Sequence, residues 1–178
     1  MPVTGSRRSI LAAAAASLAS SEVIAATPAQ RLPTDQDVAD LVKRSEDAHA
    51  ALMRGDLAGY RALIRSTDDF TLMAPFGGKP TRASELTEER WKAVGNFFRN
   101  GGRSTLELIQ SYRAVDMVVL AVIERTHVAV GGLAEQDWAL RVTLVFRREA
   151  DEWRLAHRHA DPLVKGISLA QSAALALP

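Results

Sequence analysis

Apolar residues recur at helical spacing through Val38, Leu41, Val42, Ala48 and Leu52. The spacing predicts an amphipathic first helix. Thr34 stands at its N-cap, with Asp37 three residues on as a capping-box partner. Gly55 stops the helix. Asp56 then caps a short second one, with Leu57, Tyr60, Leu63 and Ile64 on its inner face. Phe70-Thr71-Leu72-Met73 reads as a short strand ended by Pro75, followed by a turn over Phe76-Gly77-Gly78-Lys79-Pro80. Leu86, Trp91, Val94, Phe97 and Phe98 form the stripe of a third helix over residues 84–100, closed by Gly101-Gly102.

Beyond that point the period changes to two. Strands are expected over residues 105–112, 117–130, 136–148 and 153–160, with Gly131-Gly132 and Ala150-Asp151 as turns. The connections are too short for crossover helices, so these strands form an antiparallel meander. Three N-terminal helices and a meander predict an α+β domain: a strongly bent antiparallel sheet with helices on one face. A cavity between the concave face and the helices is where ligands favour binding.

Composition narrows the function classes. The chain has 178 residues, is 47% hydrophobic and 24% charged, and carries a net charge of +1. That suits one globular domain and offers no electrostatic surface for nucleic acid or membrane. No stretch reaches the roughly 20 apolar residues of a membrane span. Zero cysteines remove disulfides, thiolate zinc sites and a cysteine nucleophile. The N-terminus stands apart. Arg7-Arg8 precede the mild apolar run Ile10 to Ala16, and Val23-Ile24-Ala25 offers a small-residue cleavage site. Residues 1–26 therefore read as a twin-arginine-like export signal to the periplasm, or as a tail of a cytoplasmic protein. Residues 27–33 read as a linker, 34–163 as the domain, and 164–178 as an apolar tail.

The run Gly55-Asp56-Leu57, the stretch Asp68 to Gly77 and the hairpin Arg141 to Arg148, turn, Trp153 to His159 together resemble the SnoaL-like and ketosteroid-isomerase-like proteins of the nuclear transport factor 2-like superfamily. The resemblance covers residues 34–163. It implies a cone-shaped α+β fold, a deep pocket and a homodimer through the outer face of the sheet. It does not select one activity. Ketosteroid isomerases carry a catalytic aspartate before a proline; here that position is Ala74. Their oxyanion tyrosine falls near Ala48 and their hydrogen-bonding acid near Thr143. An isomerase needs a base and oxyanion donors, so steroid isomerisation is not expected.

On the closing strand, His157, His159 and Asp161 share a parity with Trp153 and Leu155. Two imidazoles and a carboxylate are weak candidates for a metal, and His157 and His159 are candidates for ligand binding, against a structural role between strands or at a dimer contact. Arg158 takes the other parity, with Ala156 and Ala160. Across a regular hairpin Thr143 and Arg141 join that face, which the resemblance makes the pocket face. Arg141 and Arg158 are then candidates to clamp an anionic or carbonyl oxygen, unless they are solvated or paired with an acid such as Glu124. Tyr60, Met73, Phe76 and Trp91 are candidates for the pocket rim. Glu124 and Asp116 read as a tunable acid or as solvated charges. Glycine loops for phosphate and Ser-His-Asp spacing are not evident, so no cofactor is expected. The expected partner is a small apolar or weakly acidic molecule, bound by a dimer that works, if catalytically, by cofactor-free acid–base chemistry. The alternative is a non-catalytic dimeric interaction module.

Overall fold

The computed structural model describes residues 31–177. The proposed export signal, residues 1–26, and most of the linker lie outside the described residues. Helix α1 (Asp35–Met53) begins at the expected cap: the Thr34 hydroxyl accepts from the Asp37 N–H, and Asp37 accepts from the Thr34 N–H. It buries Val38, Leu41, Ser45, Ala48 and His49. Gly55 ends it at φ +77, a left-handed conformation that favours glycine. Asp56 accepts from the Gly59 N–H at 2.8 Å and opens α2 (Leu57–Leu63). The single helix expected over residues 84–100 is broken. A 3₁₀ turn, Ala83–Glu85, precedes α3 (Glu88–Phe97), because Thr87 caps a new start by accepting from the Arg90 N–H.

The strands are β1 (Ser66–Met73), β2 (Thr81–Arg82), β3 (Phe98–Arg99), β4 (Thr105–Ala114), β5 (Met117–Val130), β6 (Gln136–Glu149) and β7 (Glu152–Pro162). They form one curled sheet, ordered β2-β1-β7-β6-β5-β3, with β4 also paired to β5. The meander β4-β5-β6-β7 is antiparallel as expected. The sheet as a whole is mixed, because β1 runs parallel to β7. The rest of the domain supplies the long connection that a parallel pair requires. On β5, Val118, Leu120 and Val122 are buried and pair with Phe146, Leu144 and Val142 of β6. These inner-face side chains meet Val38, Leu41 and Ala48 of α1 in the main core. Arg44 pins α1 to the sheet, donating to the Trp153 carbonyl at 3.0 Å with its guanidinium over the Phe146 ring.

The 164–178 tail contains a further helix, α4 (Leu169–Leu175), whose residues are all exposed. Among the described residues no helix is long and apolar enough to cross a membrane.

Candidate functional site

One irregularity decides which side chains of β7 face the helices. Reflection about the Ala150-Asp151 turn pairs Arg148 with Trp153, Arg147 with Arg154 and Phe146 with Leu155. Continued regularly, it would set Thr143 opposite Arg158. Instead Val145 pairs with His157, so Ala156 is an extra residue, a β-bulge. Every later side chain changes face. Leu155 and Arg158 both point to the core side, while His157, His159 and Asp161 point outward. Arg158 sits opposite Leu144, Thr143 opposite His159 and Arg141 opposite Asp161.

The expected clamp of Arg141 and Arg158 is therefore corrected. Arg141 and Thr143 lie on the outer face, in a shallow groove with His159 and Asp161. The shared face of His157 and His159 with Trp153 and Leu155 is corrected for the same reason. The His157 ring instead shares a 2.7 Å hydrogen bond with the Thr71 hydroxyl, linking β1 to β7. His159 stands 3.6 Å from Asp161. Among the described residues, no three His, Asp or Glu side chains are grouped to hold a metal. Met73 is exposed at the end of β1, away from the cavity. Phe76 is exposed too, its ring against Phe97.

Arg158 has a different partner. Its two terminal nitrogens donate to the two Glu124 oxygens at 2.7 Å each, a bidentate pair. Glu124 is 2% exposed and lies at the inner parity of β5, between Val122 and Thr126. The reading of Glu124 as a solvated charge is overturned. On the other side, His49 Nε2 of α1 lies 3.3 Å from Glu124 Oε2, and His49 is 4% exposed. Among the described residues, neither His49 ring nitrogen has an aligned hydrogen-bond partner. Burial lowers the His49 pKa, and the Glu124 carboxylate does not restore it. Burial, the largest single influence, pushes the Glu124 carboxyl up, but the charge and hydrogen bonds of Arg158 together with His49 outweigh it and hold the group below its ordinary value. The trio is thus an ionised carboxylate, a guanidinium and a neutral imidazole.

These groups line a cavity of about 30 Å³ with Ser45 and Tyr60, walled by Leu144, Phe146 and Leu155. That is room for a water or the end of a small molecule. Tyr60 and Ile64 line both this cavity and an outer cleft of about 500 Å³, where Trp91 lies 5.7 Å from the Tyr60 ring. Burial pushes the Tyr60 phenol above its ordinary pKa, so it remains a hydroxyl donor. Of the residues singled out from sequence, Tyr60, Glu124 and Arg158 meet at the cavity, and Trp91 meets Tyr60 at the outer cleft. His49 was missed. Its signal was its position on the buried stripe of α1, beside Ala48.

The trio predicts a pH dependence. The unfolded chain takes up a proton at His49 near pH 6.5, whereas the folded chain resists it to lower pH. Protonation therefore favours unfolding. Stability is full above about pH 6.5 and falls with pH by up to about 1.4 kcal/mol per unit. Glu124, held low in the fold, adds loss in the same direction once the pH passes below its ordinary value of 4.5. Urea titrations between pH 7.5 and pH 5 should show this limb, and His49→Gln should flatten it. A limb that persists in His49→Gln but vanishes in His157→Gln would assign it to His157, which burial also holds low.

Comparison with known proteins supports this architecture. A SnoaL-like domain matches residues 43–164. Comparison with curated proteins gave no match. Among solved structures, an NTF2-like protein from Cytophaga hutchinsonii is similar at 14% identity and TM-score 0.56, over 74% of this chain and 100% of that one. A cystatin-like-fold protein of unknown function from Nostoc punctiforme is similar at 15% identity and TM-score 0.57, over 72% and 92%. A protein from Shewanella frigidimarina, provisionally named a ketosteroid isomerase, is similar at 23% identity and TM-score 0.51, over 67% and 92%. At these identities the likeness shows the fold.

Proposed function

Since the chain belongs to the SnoaL-like domain family, we propose that it binds a small molecule whose reacting end enters the cavity, and that His49 transfers a proton there without a cofactor. The observation that carries this reading is the His49 ring. It is buried and neutral, with Nε2 3.3 Å from the Glu124 carboxylate and neither nitrogen in an aligned hydrogen bond among the described residues. A carboxylate facing Nε2 favours the tautomer that carries the proton on Nε2. Nδ1 then keeps its lone pair as a general base, and Glu124 stabilises the imidazolium that forms. Arg158 keeps Glu124 ionised. Tyr60 offers a hydroxyl at the mouth. Steroid isomerisation is not part of this reading. Ala48 and Ala74 carry no acid–base group, and Thr143 faces away from the cavity.

The test is proton exchange into a carbon acid. Wild-type protein in D₂O with 4-phenylbutan-2-one should exchange the protons next to the carbonyl about 10²-fold faster than His49→Gln. Equal rates with the ketone bound would remove catalysis and leave a binding module.

The second reading, a dimeric interaction module, draws on the small cavity and on Ile109 and Tyr112, which stand exposed on the sheet. In either reading a second copy would cover that outer face, and residues 1–26 would direct export. Native mass spectrometry of the exported protein tests both: a monomer, or an uncleaved N-terminus, would count against them.

A further inference from the structure

Arg158 is neutralised by Glu124, so it offers no free charge to a ligand. The arginines of the outer cleft are paired too, but with acids that stand in solvent. Its lining carries Arg61, Arg65 and Arg154 beside Trp91 and Phe70, and among the described residues contains no carboxylate. The acidic partners stand off the lining. Arg61 donates to Glu88 at 2.9 Å. Arg65 and Arg154 converge on one carboxylate, Glu152, each at 3.1 Å, and Arg154 also lies 3.7 Å from Glu149.

Arg65 directly precedes β1 and Arg154 lies on β7, so the two guanidiniums come from separate segments held by the parallel β1–β7 pairing. Their shared partner is half exposed, at 49% of its side-chain surface. Glu152 directly follows the tight Ala150-Asp151 turn and lies outside the core. A solvent-facing ion pair exchanges its partner at little net cost. Glu152 therefore marks where a carboxylate fits and can be displaced by one.

We propose that this cleft is a binding site for an amphipathic carboxylate, an aryl or alkyl acid. Its carboxylate would replace the Glu152 side chain between Arg65 and Arg154, and its apolar body would lie against Trp91 and Tyr60. The cleft volume, about 500 Å³, matches a small organic ligand. The site deepens the reading above by naming a ligand class. It rests on that reading only for what the far end of the ligand meets past Tyr60.

The experiment is calorimetric titration of the whole protein with 4-phenylbutyrate and with its neutral counterpart, 4-phenylbutan-1-ol. The acid should bind about tenfold or more tighter than the alcohol, as a charge-assisted contact requires. Arg65→Gln with Arg154→Gln should weaken the acid by about tenfold or more. Glu152→Gln should tighten it several-fold, because the built-in competitor is gone. A misfolded variant cannot produce that gain. Arg141→Gln, on the outer face of the sheet, should leave the acid's affinity unchanged. Equal affinity for acid and alcohol, no gain with Glu152→Gln, or no binding at millimolar acid would overturn the proposal. Loss with His49→Gln and none with the arginine variants would place the probe in the inner cavity. The cleft would then be wrong while the buried-site reading stood.

Discussion

Replacing Arg158 by alanine is expected to destabilise the domain by about 3–5 kcal/mol, because it strands an ionised carboxylate in the core. Read from sequence, Arg158 is either a ligand clamp whose removal spares the fold or the partner of an acid such as Glu124. The structure shows the second arrangement. Glu124 is fully buried, and both its oxygens accept from Arg158 at 2.7 Å. Without Arg158 the carboxyl must take a proton, draw in water or open the strand. Each costs a large share of the roughly 5–15 kcal/mol that holds a typical domain together. Replacing both partners by apolar side chains, Glu124→Leu with Arg158→Met, should cost far less, since no charge is left buried. Urea unfolding at pH 7 measures both. A loss below about 1 kcal/mol for Arg158→Ala would mean that Glu124 reaches solvent, and the pair would lose its structural meaning. If the double variant is stable but no longer exchanges carbon-acid protons, the pair exists for function rather than for folding.

Phe146→Ala is the second large expected effect. Phe146 is 1% exposed, walls the cavity and lies under the Arg44 guanidinium at 5.6 Å. Truncating a buried phenylalanine costs about 3–5 kcal/mol through lost burial and the void left behind. The void here joins an existing cavity, so the variant should gain a ligand-sized apolar space. Benzene should raise the melting temperature of Phe146→Ala and leave the wild type unchanged. If benzene stabilises neither protein, the walls have collapsed inward. The cavity would then be a product of loose packing rather than of a rigid shell.

The two effects share a cause. The central inner face of the sheet is apolar along β5 and β6 except at Glu124 and Thr126, of which Glu124 alone carries a charge. A strand whose inner parity reads Val118, Leu120, Val122, Glu124, Thr126, Val128 carries its own anomaly: a charge where the pattern demands burial. That signal was legible, and so was the place of His49 on the α1 stripe. Their meeting was not. Glu124 and His49 are far apart in sequence, and no local period sets the distance between a helix position and a strand position.

Most of the framework, by contrast, follows from local rules. The Thr34 capping box, the stop at Gly55, the Asp56 cap and the long β5 all rest on contacts within a few residues or on strict alternation. Where local rules compete, the sequence is a weaker guide. Residues 84–100 carry one apolar stripe, yet Thr87 starts a new helix within it.

What the sequence determined by itself is therefore the order of the main helices and long strands, the Thr34 and Asp56 caps, and the alternation of the meander, because each depends on interactions between near neighbours. What only the tertiary structure decided is the site. A single extra residue, Ala156, turns Arg158 toward the helices and leaves His157, His159, Arg141 and Thr143 on the far face. The parallel pairing of β1 with β7 ties Thr71 to His157 and sets Arg65 beside Arg154. A bulge has no strong residue signature, and a pairing between distant strands is chosen by the packing of the whole sheet. The physical reason is the same in each case. The identity of a face depends on register, and register is settled by all the strands together.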